Sequence, residues 1–324
     1  MKKEIVSTII TGNYGHFALA LHDSLLAYNP SVHYAVFISN GHLETSIENE
    51  IKNRENILLV TPDDVKSNDL AVSLHEKYNE TYHDAYRWGM KPLLLNHLLA
   101  LGYERAIYVD SDIFFYSDYQ FLFENLTECD VLLSPHWRSS DPDKDLSNFR
   151  LNFLDGIYNG GFVGVSKGGE KAMSYWAKLV LHNCEANRAE GYYVDQRYLD
   201  ILPTRFEKVS HILHKGCNVA NWNQVDCERV QQANGEVLIN DQYPIVFIHY
   251  TNSMLRGILL QEDGVLKPYL ERYRDTVLKY SSTDLIERFM EKGRHQNSRS
   301  DVGASKQKSP GMNLIKRVLK KIRS

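Results

Sequence analysis

Two aspartates one residue apart, Asp110 and Asp112, stand in a stretch that otherwise reads as buried, with Ala106-Ile107-Tyr108-Val109 before them and Ile113-Phe114-Phe115 after. Burying two carboxylates without partners is costly. In an extended segment residues two apart face the same side. Both carboxylates would then point together at the carboxyl end of a strand, where open α/β sheets bind ligands. A divalent cation is the natural partner. Hard oxygen ligands favour Mn²⁺ or Mg²⁺, and such an ion can bridge to a diphosphate and neutralise the charge on a leaving group. Pairing of Asp110 and Asp112 with Lys or Arg is the structural alternative. The spacing alone is weak, because a chain of this length holds about one such pair by chance. Two more occur here, Asp141-Pro142-Asp143 and Asp143-Lys144-Asp145, and both sit in the polar stretch 139–147, where turn formation accounts for them.

Elements that could position the pair are visible in the apolar pattern. Strand-like runs recur at Ile5 to Thr11, Tyr34 to Ser39, Ile57 to Val60, Ala106 to Val109 and Val131 to Ser134. Most are β-branched or aromatic and nearly continuous in apolar character, which suits a parallel sheet covered on both faces. Helical candidates lie between them at Phe17 to Asn29 and Lys91 to Leu101, the second with Leu94, Leu95, Leu98 and Leu101 on one side. Alternating strand and helix predicts a doubly wound α/β architecture with a mostly parallel central sheet and helices on both faces.

Composition narrows the function classes. A 324-residue chain with 43% hydrophobic residues can bury a large core, and its formal charge of −4 argues against a nucleic-acid binder. Cys129, Cys184, Cys217 and Cys227 show no C-x-x-C spacing, which points away from a zinc knuckle and toward a reduced, cytoplasmic setting. The run after Met1-Lys2-Lys3 is too short and polar for a signal peptide, and no stretch has the length of a membrane span.

Further short motifs occur in a fixed order: Thr11-Gly12-Asn13-Tyr14, Lys91-Pro92, Tyr108-Val109-Asp110-Ser111-Asp112-Ile113, Tyr158-Asn159-Gly160-Gly161-Phe162, Val194-Asp195-Gln196, Asn218-Val219-Ala220-Asn221-Trp222-Asn223 and Phe247-Ile248-His249-Tyr250. With these the chain, over about residues 4 to 255, resembles the GT-A fold glycosyltransferases, and among them bacterial enzymes similar to the retaining galactosyltransferase and glycogenin group. The resemblance implies a Rossmann-like fold that moves a hexose or N-acetylhexosamine from a nucleotide-diphosphate sugar, a UDP-sugar above all, to a glycan or lipid-linked acceptor. It implies Asp110, Asp112 and His249 as ligands of Mn²⁺ or Mg²⁺, with Ser111 beside the donor. Thr11, Asn13 and Tyr14 would form the nucleoside pocket, Tyr14 stacking on the base. Lys91 would meet the diphosphate, and Asn159-Gly160-Gly161 would make a tight loop against the donor sugar. Asp195 and Gln196 would flank the reacting centre: under retention Gln196 stabilises an oxocarbenium-like state and Asp195 orients the sugar, whereas under inversion Asp195 is the general base. Trp222 and Tyr192-Tyr193 offer acceptor platforms or core packing. One departure stands out: His249-Tyr250-Thr251-Asn252 replaces a small residue and glycine after the histidine, so closure over the phosphates would differ.

Residues 1–290 read as the catalytic domain, 291–310 as a flexible linker and 311–324 as a basic amphipathic helix. In that tail Met312, Ile315, Val318, Leu319 and Ile322 fall on one side and Lys316, Arg317, Lys320, Lys321 and Arg323 on the other, a pattern for an anionic membrane surface at its inner face or for a docked end. Two other functions fit these residues less well. A haloacid-dehalogenase-like phosphatase would carry its acidic pair after the first strand, and a non-catalytic sugar-binding protein would not need Asp195 or Gln196.

Overall fold

The apolar runs pair side by side, and their order in the sheet explains where the polar residues emerge. In the computed structural model, which describes residues 3–284, the chain begins with β1 (Glu4–Thr11), α1 (Gly15–Leu26), β2 (Tyr34–Asn40), α2 (Thr45–Lys52), β3 (Ile57–Val60), α3 (Asp69–Tyr78) and α4 (His83–Ala100). It continues through β4 (Arg105–Val109), β5 (Ile113–Phe115), α5 (Gln120–Glu128), β6 (Val131–Pro135), α6 (Leu146–Leu154), β7 (Tyr158–Ser166) and α7 (Glu170–His182). Then come α8 (Leu202–Arg205), β8 (Val209–His211), β9 (Arg229–Gln231), β10 (Val237–Ile239), β11 (Tyr243–Pro244), β12 (Phe247–His249), α9 (Asn252–Leu259) and α10 (Lys267–Leu278).

The central sheet has seven strands in the order β3-β2-β1-β4-β7-β6-β8. Neighbours are parallel except at β7, which runs antiparallel to both β4 and β6. The expected mixed α/β architecture with a mostly parallel sheet is therefore present. Both faces are covered. Ile5, Ile9 and Phe37 pack under α4 and α7 residues such as Leu94, Leu98 and Trp176 on one side. Val6, Ile10 and Val36 pack under Leu21, Leu25 and Phe123 of α1 and α5 on the other. The three-stranded β9-β10-β11 sheet and the β5-β12 pair are separate.

Three local expectations change. The helix anticipated from Lys91 starts at His83 and carries Pro92 in its interior. Proline there costs about 3 kcal/mol, but five leucines of the same helix, Leu93, Leu94, Leu95, Leu98 and Leu99, are buried at about 2 kcal/mol each, so packing overrides the local breaker. Asp110-Ser111-Asp112 is a turn between β4 and β5 rather than an extended run, closed by the Ile113 N–H donating to Asp110 O at 3.1 Å. The two carboxylates thus converge by chain reversal and not by the two-residue repeat of a strand. Asn159-Gly160-Gly161 lies inside β7 and is no loop; neither glycine has a positive φ. What the glycines supply is closeness, since a Cβ on Gly161 would lie 2.5 Å from His249 Cε1 and 3.0 Å from Asp110 Oδ2.

Contacts group residues Met1–Ser282 as one unit and Thr283–Ser324 as another. The linker 291–310 and the basic helix 311–324 lie outside the described residues. Among the described residues no helix is long and apolar enough to cross a membrane, and all four cysteines are buried and unpaired with one another. Asp145 caps α6 by accepting from Asn148 N–H, and Asp141 accepts from Asp143 N–H, so these aspartates serve the turn as expected.

Candidate active site

Three strand ends meet at one edge of the sheet. β1 and β4 are adjacent and parallel, so the Thr11-Gly12-Asn13-Tyr14 turn and the Asp110-Ser111-Asp112 turn leave on the same side. β7 runs the other way, which brings its first residues to that edge, and the Asp110 N–H donates to Gly161 O at 2.9 Å. β12 delivers His249 by pairing with β5, residue against residue with Ile113. The direction of the sheet's connections reverses around β1 and β4, the kind of place where open α/β sheets bind ligands.

Donor atoms of Asp110, Asp112 and His249 lie within 4.8 Å of one another. His249 Nε2 is 3.1 Å from Asp112 Oδ1 and 3.9 Å from Asp110 Oδ2. The imidazole is buried, whereas Asp112 is 40% exposed and faces outward. Ser111 is half-buried between the aspartates. Next to them sits Lys91, only 3% exposed, with Nζ 3.3 Å from Asp110 Oδ1, 3.1 Å from Asp195 Oδ2 and donating to Gly160 O at 2.9 Å. Tyr108 donates its hydroxyl to Asp110 Oδ1 at 2.6 Å. The alternative of Asp110 paired to lysine is thus realised alongside the cluster, while Asp112 has histidine for its partner.

The charges of this group suit a divalent cation. Asp110 and Asp195 share the Lys91 ammonium and Asp112 adds a third carboxylate beside Asp110, so the carboxylates outnumber the ammonium by two, an excess that one divalent ion would match. Two carboxylate oxygens and an imidazole nitrogen form a donor set that Mn²⁺ or Mg²⁺ accepts. Burial pushes the Asp110 carboxyl upward, yet Lys91, His249 and the Tyr108 hydroxyl hold it below the ordinary carboxylate range. Burial opposes charge on His249 as well, but Asp112 and Asp110 more than offset it and lift the ring above its ordinary value. Asp195 goes the other way: desolvation raises it, Asp110 adds to the rise, and Lys91 only partly counters them.

Asp195 and Gln196 lie directly beside Gly160, where an added Cβ would come within 3.0 Å of each side chain. The Trp176 indole donates to Asp195 O at 2.9 Å. Gln196 is braced at both ends of its amide, donating to Asp155 O at 3.0 Å and accepting from Gly160 N–H at 3.4 Å. At the far end of the edge, Thr11 donates to Asn13 Oδ1 at 2.6 Å, and the half-buried Tyr14 ring stands 5.6 Å from Phe17. Lys91 and Gly161 thus touch the acidic turn directly, Asp195 and Gly160 join it through Lys91, Asn159 through Gly161 and Gln196 through Gly160, whereas Thr11, Asn13 and Tyr14 share its edge.

Among the neighbours, Trp137 and His136 carry no signal in the sequence. Val194, just before Asp195, has φ 43°, and Trp137 has φ 52°. Left-handed backbone at a β-branched or bulky residue is strained, and such strain collects at functional sites. His136 accepts from the Asn159 amide and is fully enclosed; burial and then Arg138 push its ring well below the ordinary imidazole value, so it is neutral. Trp222 stands edge-on to both His136 and His249, each ring centre 5.4 Å away.

No protein-family model matches the sequence. Two curated proteins of Bacillus subtilis (strain 168) are similar: the uncharacterized YfnF, 30% identical over 201 residues, and the uncharacterized YfnD, 30% identical over 201 residues. The matched stretch covers 59% and 57% of this chain and 63% and 61% of the relatives, so the chain spans about three fifths of the length of the curated proteins it matches. Among solved structures, the galactosyltransferase LgtC in complex with donor and acceptor sugar analogs superposes with a TM-score of 0.48 at 13% identity, over 88% of this chain and 99% of that one. The apo bifunctional glycosyltransferase WbbM gives 0.47 at 14% identity over 77% and 46%, and mouse xyloside xylosyltransferase 1 gives 0.47 at 11% identity over 78% and 99%.

Proposed function

We propose that this chain is a metal-dependent glycosyltransferase that takes a hexose or N-acetylhexosamine from a nucleoside-diphosphate sugar, with UDP as the nucleotide. The observation that carries the reading is the convergence of Asp110, Asp112 and His249 within 4.8 Å at the ligand-binding edge of the sheet, with Asp195 joined to the same cluster through Lys91. The three ligands would hold Mn²⁺ or Mg²⁺, which supplies charge neutralisation for the departing diphosphate. Ser111 lies beside the donor phosphates. Thr11, Asn13 and Tyr14 receive the nucleoside, the Tyr14 ring stacking on the base.

The protein's own groups do the rest. Lys91 directs its ammonium to Asp110, Asp195 and Gly160 O, so we read it as the counter-charge that lets these carboxylates sit together rather than as a direct diphosphate contact. Gly160 and Gly161 allow the donor sugar to approach backbone, and Asn159 directs an amide at it. Gln196, braced by Asp155 O and Gly160 N–H, faces the reacting carbon, while Asp195 orients the sugar; this arrangement serves transfer with retention. The acceptor is a glycan or lipid-linked sugar in surface polysaccharide assembly. A phosphatase of the haloacid-dehalogenase kind needs its acidic pair after the first strand, and here β1 ends in Thr11-Gly12-Asn13.

The test is the melting temperature with UDP, GDP, CDP and dTDP, each with Mn²⁺ and again with a chelator. At about 100 times its dissociation constant a specific ligand adds roughly 2.7 kcal/mol. UDP should raise the melt only with metal, and Asp112→Asn should remove that rise. No response to any nucleotide, or an undiminished response in the variant, rejects the reading.

A further inference from the structure

We propose that His136 is a positioning residue, which holds the Asn159 amide and through it the metal turn; the proposal rests on reading the cleft as a donor-sugar site. The ring's two nitrogens have unequal surroundings. Nδ1 is 3.1 Å from Ile157 O, and a carbonyl can only accept, so Nδ1 carries the proton. Nε2 of the neutral ring is then a lone pair, and Asn159 Nδ2 donates to it at 3.1 Å. That fixes the amide's orientation, because Asn159 Oδ1 must accept from Gly161 N–H, 2.9 Å away. Turning the amide over would set Oδ1 against the lone pair of Nε2 and the NH₂ against the Gly161 N–H. Moving the proton to Nε2 would break the bonds to both Ile157 O and Asn159.

The order imposed by the ring is passed on. Gly161 O accepts from the Asp110 N–H at 2.9 Å, so a chain of three hydrogen bonds runs from the imidazole to the acidic turn. Asn159 is only 5% exposed, and of its two amide hydrogens one is committed to His136. The second is presented in a fixed direction, which suits recognition of a sugar hydroxyl. Backbone geometry holds the ring on this line: the His136 N–H also donates to Ile157 O at 2.9 Å, and the left-handed turn at Trp137 carries the chain away directly after it. Trp222 packs edge-on against both His136 and His249, which limits the room in which the His136 ring can turn. Burial, which leaves the ring 2% exposed, makes such a tautomer choice costly to reverse.

The proposal is tested first on the whole wild-type chain by nitrogen-15 spectra of labelled imidazoles, with the His136 signal assigned by its loss in His136→Gln. The Nδ1–H tautomer is expected, and an Nε2–H tautomer overturns the proposal. Next, His136→Leu and His136→Gln are compared. Glutamine can donate to Ile157 O and accept from Asn159; leucine can do neither. In His136→Leu the Asn159 side-chain amide signals should move, and release of UDP from UDP-galactose, UDP-glucose or UDP-N-acetylglucosamine should fall about tenfold or more in kcat. Affinity for Mn²⁺ should fall as well, by about tenfold, because the hydrogen-bond chain ends on the Asp110 N–H. His136→Gln should regain most of the rate. Unmoved Asn159 signals in the leucine variant, or equal impairment of both variants, overturn the proposal. If the wild-type chain binds no Mn²⁺ and UDP, the donor-site reading fails and the role in sugar recognition fails with it, while the tautomer and the Asn159 signals still decide the hydrogen-bond chain itself.

Discussion

Replacing Lys91 with methionine tests the charge balance from which the site is built. The ammonium is 3% exposed and faces Asp195, also 3% exposed, at 3.1 Å and Asp110 at 3.3 Å. Met has similar length and no charge, so packing is largely kept while the counter-charge goes. Removing one member of a buried ion pair costs about 3–5 kcal/mol, because the partner stays behind in a low dielectric. Gly160 O also loses its donor. Lys91→Met should therefore lower the unfolding free energy by about 3–5 kcal/mol in urea titrations with a chelator present, roughly 10 °C in melting temperature. Adding Asp195→Asn removes the stranded charge, and the double variant should recover about half of the loss. The reasoning is refuted if Lys91→Met costs less than about 1 kcal/mol, or if the double variant is no more stable than the single one.

Two further outcomes follow from the same structure. Gly161→Ala would place a Cβ 2.5 Å from His249 Cε1 and 2.6 Å from Asn159 Oδ1, so it should cost about 1–3 kcal/mol in stability and weaken Mn²⁺ binding at least tenfold by calorimetry, whereas wild-type affinity would show that the glycine is not what allows the approach. His22 is buried between Arg54 and Asn56, and desolvation, then Arg54, lower its pKa to about 4. The unfolded chain takes up a proton near pH 6.5 and the folded one only near 4, so this contribution is intact above pH 6.5 and is lost as pH falls toward 4, by up to about 3 kcal/mol. Urea unfolding at pH 7.5 and 4.5 should show that loss, and His22→Asn should flatten it.

Legibility in the sequence differed from residue to residue. Strands β1, β2, β3, β4 and β6 were readable because continuous β-branched runs have few other uses, and their bounds agree to within a residue or two. The start of α4 was not readable, since Pro92 mimics a helix beginning and only the buried leucines explain why the helix continues through it. Asp110 and Asp112 could be singled out as carboxylates within an apolar run, and His249 through the order of motifs that carries the family resemblance. His136 could not, because one histidine after Val131-Leu132-Leu133-Ser134-Pro135 looks like any satisfied core histidine.

The sequence by itself determined the layered α/β architecture and the residue types at the cleft, because apolar periodicity and isolated charges are local properties of a chain. Tertiary structure alone decided how those residues meet. The approach of His249 to the Asp110–Asp112 turn, the approach of Gly161 to His249 and the convergence of Lys91 on both Asp110 and Asp195 all join segments distant in the chain. Local propensity has no means of recording them. The antiparallel insertion of β7 between β4 and β6 is the decisive step, since it brings Asn159, Gly160 and Gly161 to the edge where the aspartates emerge, and that strand order is fixed by packing over the whole sheet.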